Sequence, residues 1–406
     1  MPYLPLNPFN VAQDPGEAHA GATARGQAVV ATDSQHVCGI VLAGSHHWGE
    51  GVFERVLRGP LLPVALTPLI EYPLHWLRDA GVRRAVLCAN SATRMLRDVL
   101  GEGNPDSIAL QYFEDMEPRG PAGCARDAAA MTHAARFVVI EGTIVPTLDF
   151  SAVLDAHARS GAAATVVVEF DRRRRGMASA IRRQPAGIYV FERSALMQVA
   201  ETGYQDIKEG LLGRLSGAGA HVAMHELHGL SAKVLDYSSY ASVSRWLVSR
   251  AIERPAFLPE YLRVGEGLHH PSAFVHPTAR LIGPVLLAAE SRVDAHAVVV
   301  GPASIGERTH VAEGALVSRS FVWDDCHIGA GAIVDASVIA DRCQVPPGER
   351  LKNVTQLPDD FAPQPRNASP SAAPGRRPDL AMAAERVRAG FAGQVKVPHG
   401  SRASAP

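Results

Sequence analysis

The side chains here that can ligate a metal, move a proton or bind an anion are scattered, and their spacing narrows what they can do. Two adjacent histidines, His46 and His47, stand beside Trp48. Neighbouring side chains point apart and no third ligand accompanies them, so the pair does not describe a metal site. Five cysteines (Cys38, Cys88, Cys124, Cys326 and Cys343) lie far apart without a Cys-x-x-Cys pair. That spacing suits neither zinc nor a disulfide framework and points to a reducing compartment. Arg172 to Arg175 form a basic run that fits a solvated turn, with an acidic partner as the alternative. His296, His310 and His327 are of the right type for an acyltransferase base, but no acyl-carrier feature accompanies them.

Charge and hydropathy narrow the class further. The 406 residues carry 40 basic and 41 acidic side chains, a net charge of −1. That balance argues against electrostatic capture of nucleic acid or of an anionic membrane surface. No apolar stretch reaches the roughly 18 residues that a membrane-spanning helix needs. The first residues lack the basic start and apolar run of a signal peptide. The expectation is a cytoplasmic protein with no nucleic-acid or membrane partner.

The elements that must position any site follow from periodicity. Residues 1–35 are rich in Ala, Gly, Pro and Gln and read as a loose leader. From Val37 short apolar runs such as CGIVLAG, RRAVLCAN and FVVIEG alternate with amphipathic stretches such as PLIEYPLHWLRDAGV, closed by Gly81. Strand and helix alternate over residues 36–255, which predicts an α/β domain with a mostly parallel sheet. Residues 256–271 read as a linker. Within 272–348 an aliphatic residue recurs about every six positions: Val275, Leu281, Leu287, Val293, Val299, Ile305 and Val311. After one five-residue step the register is expected to resume at Val322, Ile328, Val334 and Ala340. This is the hexapeptide period of a parallel β-helix of about 18 residues per coil. Residues 349–406 read as a largely disordered tail with one short helix in PDLAMAAERVRAG.

An α/β domain followed by a left-handed hexapeptide β-helix resembles the sugar-1-phosphate nucleotidylyltransferases (NDP-sugar pyrophosphorylases). The mannose-1-phosphate guanylyltransferase and glucose-1-phosphate thymidylyltransferase branches are the most similar in style. The resemblance is carried by IVLAG, by PLLPV followed by TPLIEYPLHWLRDAGV, by RGPAGCARDAA, by LDFSAVLDAHARSGAAATVVV and by PAGIYVFERSAL, in the family's order. It covers roughly Val37 to Pro346.

The resemblance implies a Rossmann-like nucleotidyltransferase domain. Its reaction joins a sugar-1-phosphate to a nucleoside triphosphate and expels pyrophosphate. Such chemistry relies on positioning and on cationic stabilisation by Arg, Lys and Mg²⁺, the metal being held by carboxylates. The family's glycine-rich loop matches Gly44 to Gly59 without a gap, and only Gly44 of its glycines remains. The catalytic arginine position is Gly49 and the catalytic lysine position is Gly59. The two metal-aspartate positions are Thr143 and Lys233, with Asp236 three residues out of register. Losing two or three such groups costs about 6–12 kcal/mol of transition-state stabilisation before any allowance for non-additivity.

The same resemblance leaves Gly44, Gly120, Gly123 and Gly187 as candidate ligand contacts, with turn-keeping as the alternative for the last three. Lys233 is a further candidate, either pairing with a phosphate in place of a metal or simply solvated. The leading expectation is a non-catalytic regulatory or scaffolding subunit of sugar-nucleotide or polysaccharide synthesis. It would bind a nucleotide sugar, need no cofactor, and assemble with itself or with an active relative through the β-helix. Two alternatives stand beside it. One is an active, Mg²⁺-dependent enzyme with a site rebuilt from Arg55, Arg58 and Asp149 or Asp236. The other is a structural oligomerisation module.

Overall fold

The central strands of the first domain are apolar on both faces, and that pattern requires cover on both sides. The computed structural model describes residues 36–44, 59–90, 93–104, 108–114, 119–170, 183–227, 232–253, 258 and 260–358. The leader, His46 and His47, Gly49, Arg55, Arg58, Arg172 to Arg175 and residues 359–406, where a short helix is expected, lie outside the described residues. Two boundaries differ from expectation: Gly267–His269 of the expected linker and Arg350–Lys352 and Thr355–Gln356 of the expected tail are strands paired onto the β-helix, because their backbone groups find ladder partners in the adjoining coils.

The chain order is β1 (Val37–Leu42), β2 (Pro63–Val64), β3 (Thr67–Pro68), α1 (Glu71–Asp79), β4 (Arg84–Cys88), α2 (Thr93–Leu100), β5 (Gly103–Asn104) and β6 (Ile108–Phe113). It continues with α3 (Gly120–Ala130), β7 (Arg136–Glu141), β8 (Ile144–Val145), α4 (Phe150–Ser160), β9 (Ala164–Phe170) and β10 (Arg183–Glu192). Then come α5 (Arg193–Leu196), α6 (Leu212–Gly217), β11 (Val222–Glu226), β12 (Ala232–Lys233) and α7 (Tyr237–Glu253). Eight strands form one sheet in the order β11-β9-β10-β7-β1-β4-β6-β5. Its centre is parallel, with β1 between β4 and β7 and β4 beside β6. β10 runs antiparallel to both β7 and β9. One face packs on Trp76, Leu77, Phe150 and Val153, and the other on Ala125, Ala128, Leu212 and Leu215. All five cysteines are buried free thiols.

Helix α1 ends before Gly81, whose φ of 84° closes the turn as expected. Its first residue, Glu71, is buried, and its Oε1 has no hydrogen-bond partner. Burial pushes the Glu71 carboxyl up to about 7, with Arg78 pulling weakly the other way.

The second region is a left-handed parallel β-helix of three sheets. Its coils stack through β13 (Phe274–Val275), β14 (Arg292–Val293), β15 (His310–Val311), β16 (His327–Ile328) and β17 (Gln344–Val345). Val275 pairs with Val293 and Val293 with Val311, steps of 18 residues. Val311 then pairs with Ile328 and Ile328 with Val345, steps of 17. Each shorter coil contains one five-residue step, before Val322 and again before Ile339. The sequence shows the first step only. The inward residue after Val334 is therefore Ile339, not the expected Ala340.

Left-handed backbone at the corners lets the chain turn this sharply. Glu290, Arg308, Asp325 and Arg342 form one corner column, and His296, Gly314, Gly331 and Gly348 form the next. Their φ values lie between 52° and 69°. A non-glycine residue there costs about 1 kcal/mol, which the stacked coils must offset.

Helix α7 joins the two regions. Tyr240, Ala241, Val243, Ser244, Leu247, Val248 and Ala251 are buried, a helical stripe lying in one core with Leu286, Ile305 and Phe321. Tyr240 is the hub. Its hydroxyl donates to Pro63 O at 3.0 Å and accepts from Trp323 Nε1 at 2.9 Å. Its ring meets Phe321 and Trp323 edge-on. Tyr237 Oη donates to Ala336 O at 2.8 Å.

Two measurements check this account. A Cβ on Gly329 would lie 2.5 Å from Pro347 N in the next coil, whereas one on Gly331 would meet nothing within 4 Å. Gly329→Val should therefore destabilise by more than about 3 kcal/mol and Gly331→Ala by only about 1 kcal/mol, read by urea unfolding. For Glu71 the folded value exceeds the ordinary 4.5. The protonated form is favoured in the fold, so stability is full below pH 4.5 and falls as pH rises through 7, by about 3 kcal/mol in all. Glu71→Gln should be near neutral at pH 4.5 and should stabilise the protein by about 2–3 kcal/mol at pH 8. Equal effects at both pH values would show that Glu71 does not titrate in this range.

Candidate functional site

Open parallel sheets bind ligands outside the carboxyl ends of their strands. Three such ends meet here. Gly142 N, just past β7, donates to Leu42 O of β1 at 2.9 Å. A Cβ on Gly44, past β1, would lie 3.3 Å from Asn90 Nδ2, past β4. The short ribbon of β8 and β12 completes the edge, pairing Ile144 with Lys233. Val234 N donates to Thr143 O at 2.8 Å. Positions 143 and 233, far apart in the chain, are thus neighbours.

What stands between them is an ion pair. The Lys233 ammonium lies against Glu141 Oε2, and each side chain is 18% exposed. The geometry is that of an ion pair rather than of an aligned hydrogen bond. Gly187 backs the carboxylate. It has a φ of 86° in a bulge of β10 between Pro185 and Tyr189. A Cβ there would lie 2.7 Å from Glu141 Cδ and 2.6 Å from Ile144 Cδ1. The positive φ already calls for glycine here, and a larger residue would also press on Glu141. Thr143 is 9% exposed and its hydroxyl has no partner.

The remaining candidates lie around this centre or apart from it. Gly120 opens α3 with a φ of 76°, and a Cβ on it would sit 2.6 Å from Gln205 O and 2.9 Å from the Tyr204 ring. Ala122 N donates to Gln205 O at 3.0 Å, so one amide of this turn is already satisfied. Gly123 makes room for the Arg119 side chain, 2.7 Å from its would-be Cβ. Gly59 has a φ of 51° with nothing within 4 Å of its would-be Cβ. The carboxylates considered for a rebuilt centre are both helix caps. Asp149 accepts from Ser151 N at 2.9 Å at the start of α4, and Asp236 from Ser239 N at 2.7 Å at the start of α7. His310 and His327 meet edge-on in adjacent coils, ring centroids 4.8 Å apart, with His310 Nε2 bonded to Asp294 at 2.6 Å. His296 occupies a coil corner.

A divalent cation needs two or more anionic oxygens. The loop here offers a neutral hydroxyl at Thr143, an ammonium at Lys233 and one carboxylate that the ammonium already neutralises. Among the described residues no three His, Cys, Asp or Glu side chains converge to hold a metal. The donor set does not fit Mg²⁺. Glu141 is the residue that the sequence reading missed. An acid directly before the Gly142-Thr143 pair, with a base at the other metal position, was the available signal. Among the described residues no helix is long and apolar enough to cross a membrane.

Comparison with known proteins agrees with this architecture. A family model described as nucleotidyl transferase matches residues 53–177, and one described as the GMPPB C-terminal domain matches residues 281–364. The low-salt glycan biosynthesis nucleotidyltransferase Agl11 of Haloferax volcanii is 31% identical over 97 residues, 22% of this chain and 26% of the relative. The N-acetylmuramate alpha-1-phosphate uridylyltransferase of Neisseria meningitidis serogroup B is 32% identical over 96 residues, 23% of this chain and 41% of the relative. The UTP–glucose-1-phosphate uridylyltransferase of Synechocystis sp. is 21% identical over 299 residues, 65% of this chain and 77% of the relative. The matches thus span less than half the length of the first two relatives. One family model on the α/β region, another on the β-helix and nucleotidyltransferases among the relatives together support a sugar-1-phosphate nucleotidyltransferase family for this chain.

Proposed function

We propose that this chain is a non-catalytic member of its family. On this reading it serves sugar-nucleotide or polysaccharide synthesis in the cytoplasm as a regulatory or scaffolding subunit. The single observation that carries the reading is the Lys233–Glu141 ion pair, which sits where the family's motifs would place a metal and its carboxylates. Phosphoryl transfer needs extra positive charge on the transferring group. A neutral pair supplies none. The loss of Arg and Lys at Gly49 and Gly59 points the same way. The rebuilt-site alternative is weakened because Asp149 and Asp236 are committed to helix caps.

The cleft keeps the fold's ligand edge, so a nucleotide sugar is the ligand class we assign to it. An active relative of the same family is the partner class. The β-helix has open ends and flat faces that need covering, and we assign subunit contacts to them.

Pyrophosphate release with Mg²⁺, a panel of nucleoside triphosphates and common sugar-1-phosphates should stay at background. Gly59→Lys alone should not raise it, because the metal carboxylates are absent too. Robust Mg²⁺-dependent turnover by the unmodified protein would overturn the non-catalytic reading. Light scattering of the full chain should give a mass above the 43.2 kDa monomer, or should do so once an active relative is added. A monomer under both conditions would remove the assembly role.

A further inference from the structure

A cation in a largely buried site must be balanced, and an internal carboxylate and an external anion can do so interchangeably. We propose that Glu141 is a resident anion on Lys233, and that a phosphorylated ligand enters by taking its place, without a divalent cation. The inference rests on the reading of this cleft as a nucleotide-sugar site.

Three observations support an exchangeable occupant rather than a fixed structural pair. First, Lys233 and Glu141 are each 18% exposed, so the pair lies at the cleft rather than sealed in the core. Second, Lys233 sits on the two-residue strand β12, whose partner β8 is equally short, and Glu141 is the last residue of β7. Both groups stand at the ends of their elements. Third, the Thr143 hydroxyl is buried and unpartnered beside this ribbon, a donor left over in the present arrangement. A phosphoryl oxygen on Lys233 would give that hydroxyl an acceptor. A charge-assisted hydrogen bond from an ammonium to a phosphate is strong enough to compete with one to a carboxylate.

The charge bookkeeping sets the sign. With Glu141 on Lys233 the site is neutral and a dianionic ligand meets no net attraction. With Glu141 displaced, the site presents one positive charge but leaves a carboxylate nearby. Removing that carboxylate should therefore tighten anion binding.

The test is isothermal calorimetry of the full chain with inorganic pyrophosphate in EDTA at low salt. Glu141→Gln, which keeps the shape, should bind pyrophosphate about tenfold more tightly than the unmodified protein. Adding Lys233→Met should abolish the gain, and replacing EDTA with Mg²⁺ should not increase it. No gain in E141Q, a gain that survives Lys233→Met, or a gain that needs Mg²⁺ would each overturn the exchange. If E141Q melts well below the unmodified protein, Glu141→Ala makes the same charge change without a buried amide, and the same outcomes decide. Turnover by the unmodified chain would overturn the non-catalytic reading and leave the exchange intact. Equal affinities would overturn the exchange and leave the non-catalytic reading intact.

Discussion

The Lys233–Glu141 ion pair sets what the cleft can do, because a buried charge must be neutralised by something and here the chain neutralises it itself. In a carboxylate-lined site the missing positive charge comes from a metal, and with it comes catalytic power over a phosphoryl group. In this chain the ammonium is covalently part of β12, and its counter-charge is part of β7. Neither charge is left over to stabilise a transition state. Thr143 fits the same logic. A second carboxylate beside Glu141 would give one ammonium two anions to balance, and a hydroxyl carries no charge to compensate.

The scaffold around the pair is intact, and its rigidity has a physical source. Lys233 lies three residues before Asp236, which caps α7. Helix α7 is pinned by Tyr240 to Pro63 and Trp323 at once, and by Tyr237 to Ala336. The β2–β3 hairpin, α7 and the β-helix therefore share one core. The geometry that would hold a ligand is maintained by packing far from the charges, so the charges could change without unfolding the cleft. The regulatory role proposed above would draw on that combination, a shaped site whose charges are free to vary.

Much of this was legible in the residues. The alternation of apolar runs with amphipathic stretches specified the α/β region, and a sixfold recurrence of aliphatics specified the β-helix. The second five-residue step escaped because Ile339 and Ala340 are both apolar, and both prove to be buried, so composition could not choose between them. The site was half legible. Motif register put Thr143 and Lys233 in the cleft, and β8 and β12 do bring them together. Glu141 was invisible as Lys233's partner because a pair contact between distant positions leaves no periodic trace. Asp149 and Asp236 looked like spare ligands for the opposite reason. An acid at a helix start and an acid in a site are the same letter, and only hydrogen bonds to Ser151 N and Ser239 N tell them apart.

The glycines carry a related lesson. Gly120 and Gly187 have φ values of 76° and 86°, and a Cβ on either would collide with its own chain. Backbone geometry alone demands glycine at both places, so their presence says little about a ligand. Lys233 and Thr143 are different. They sit on ordinary extended or turn backbone, outside the positive-φ region, where many side chains would fit. The backbone leaves chemical choice there, and the residues found are a base matched to one acid and a hydroxyl left unmatched. Function is best read at positions of that kind, and the anion site proposed for this chain rests on them.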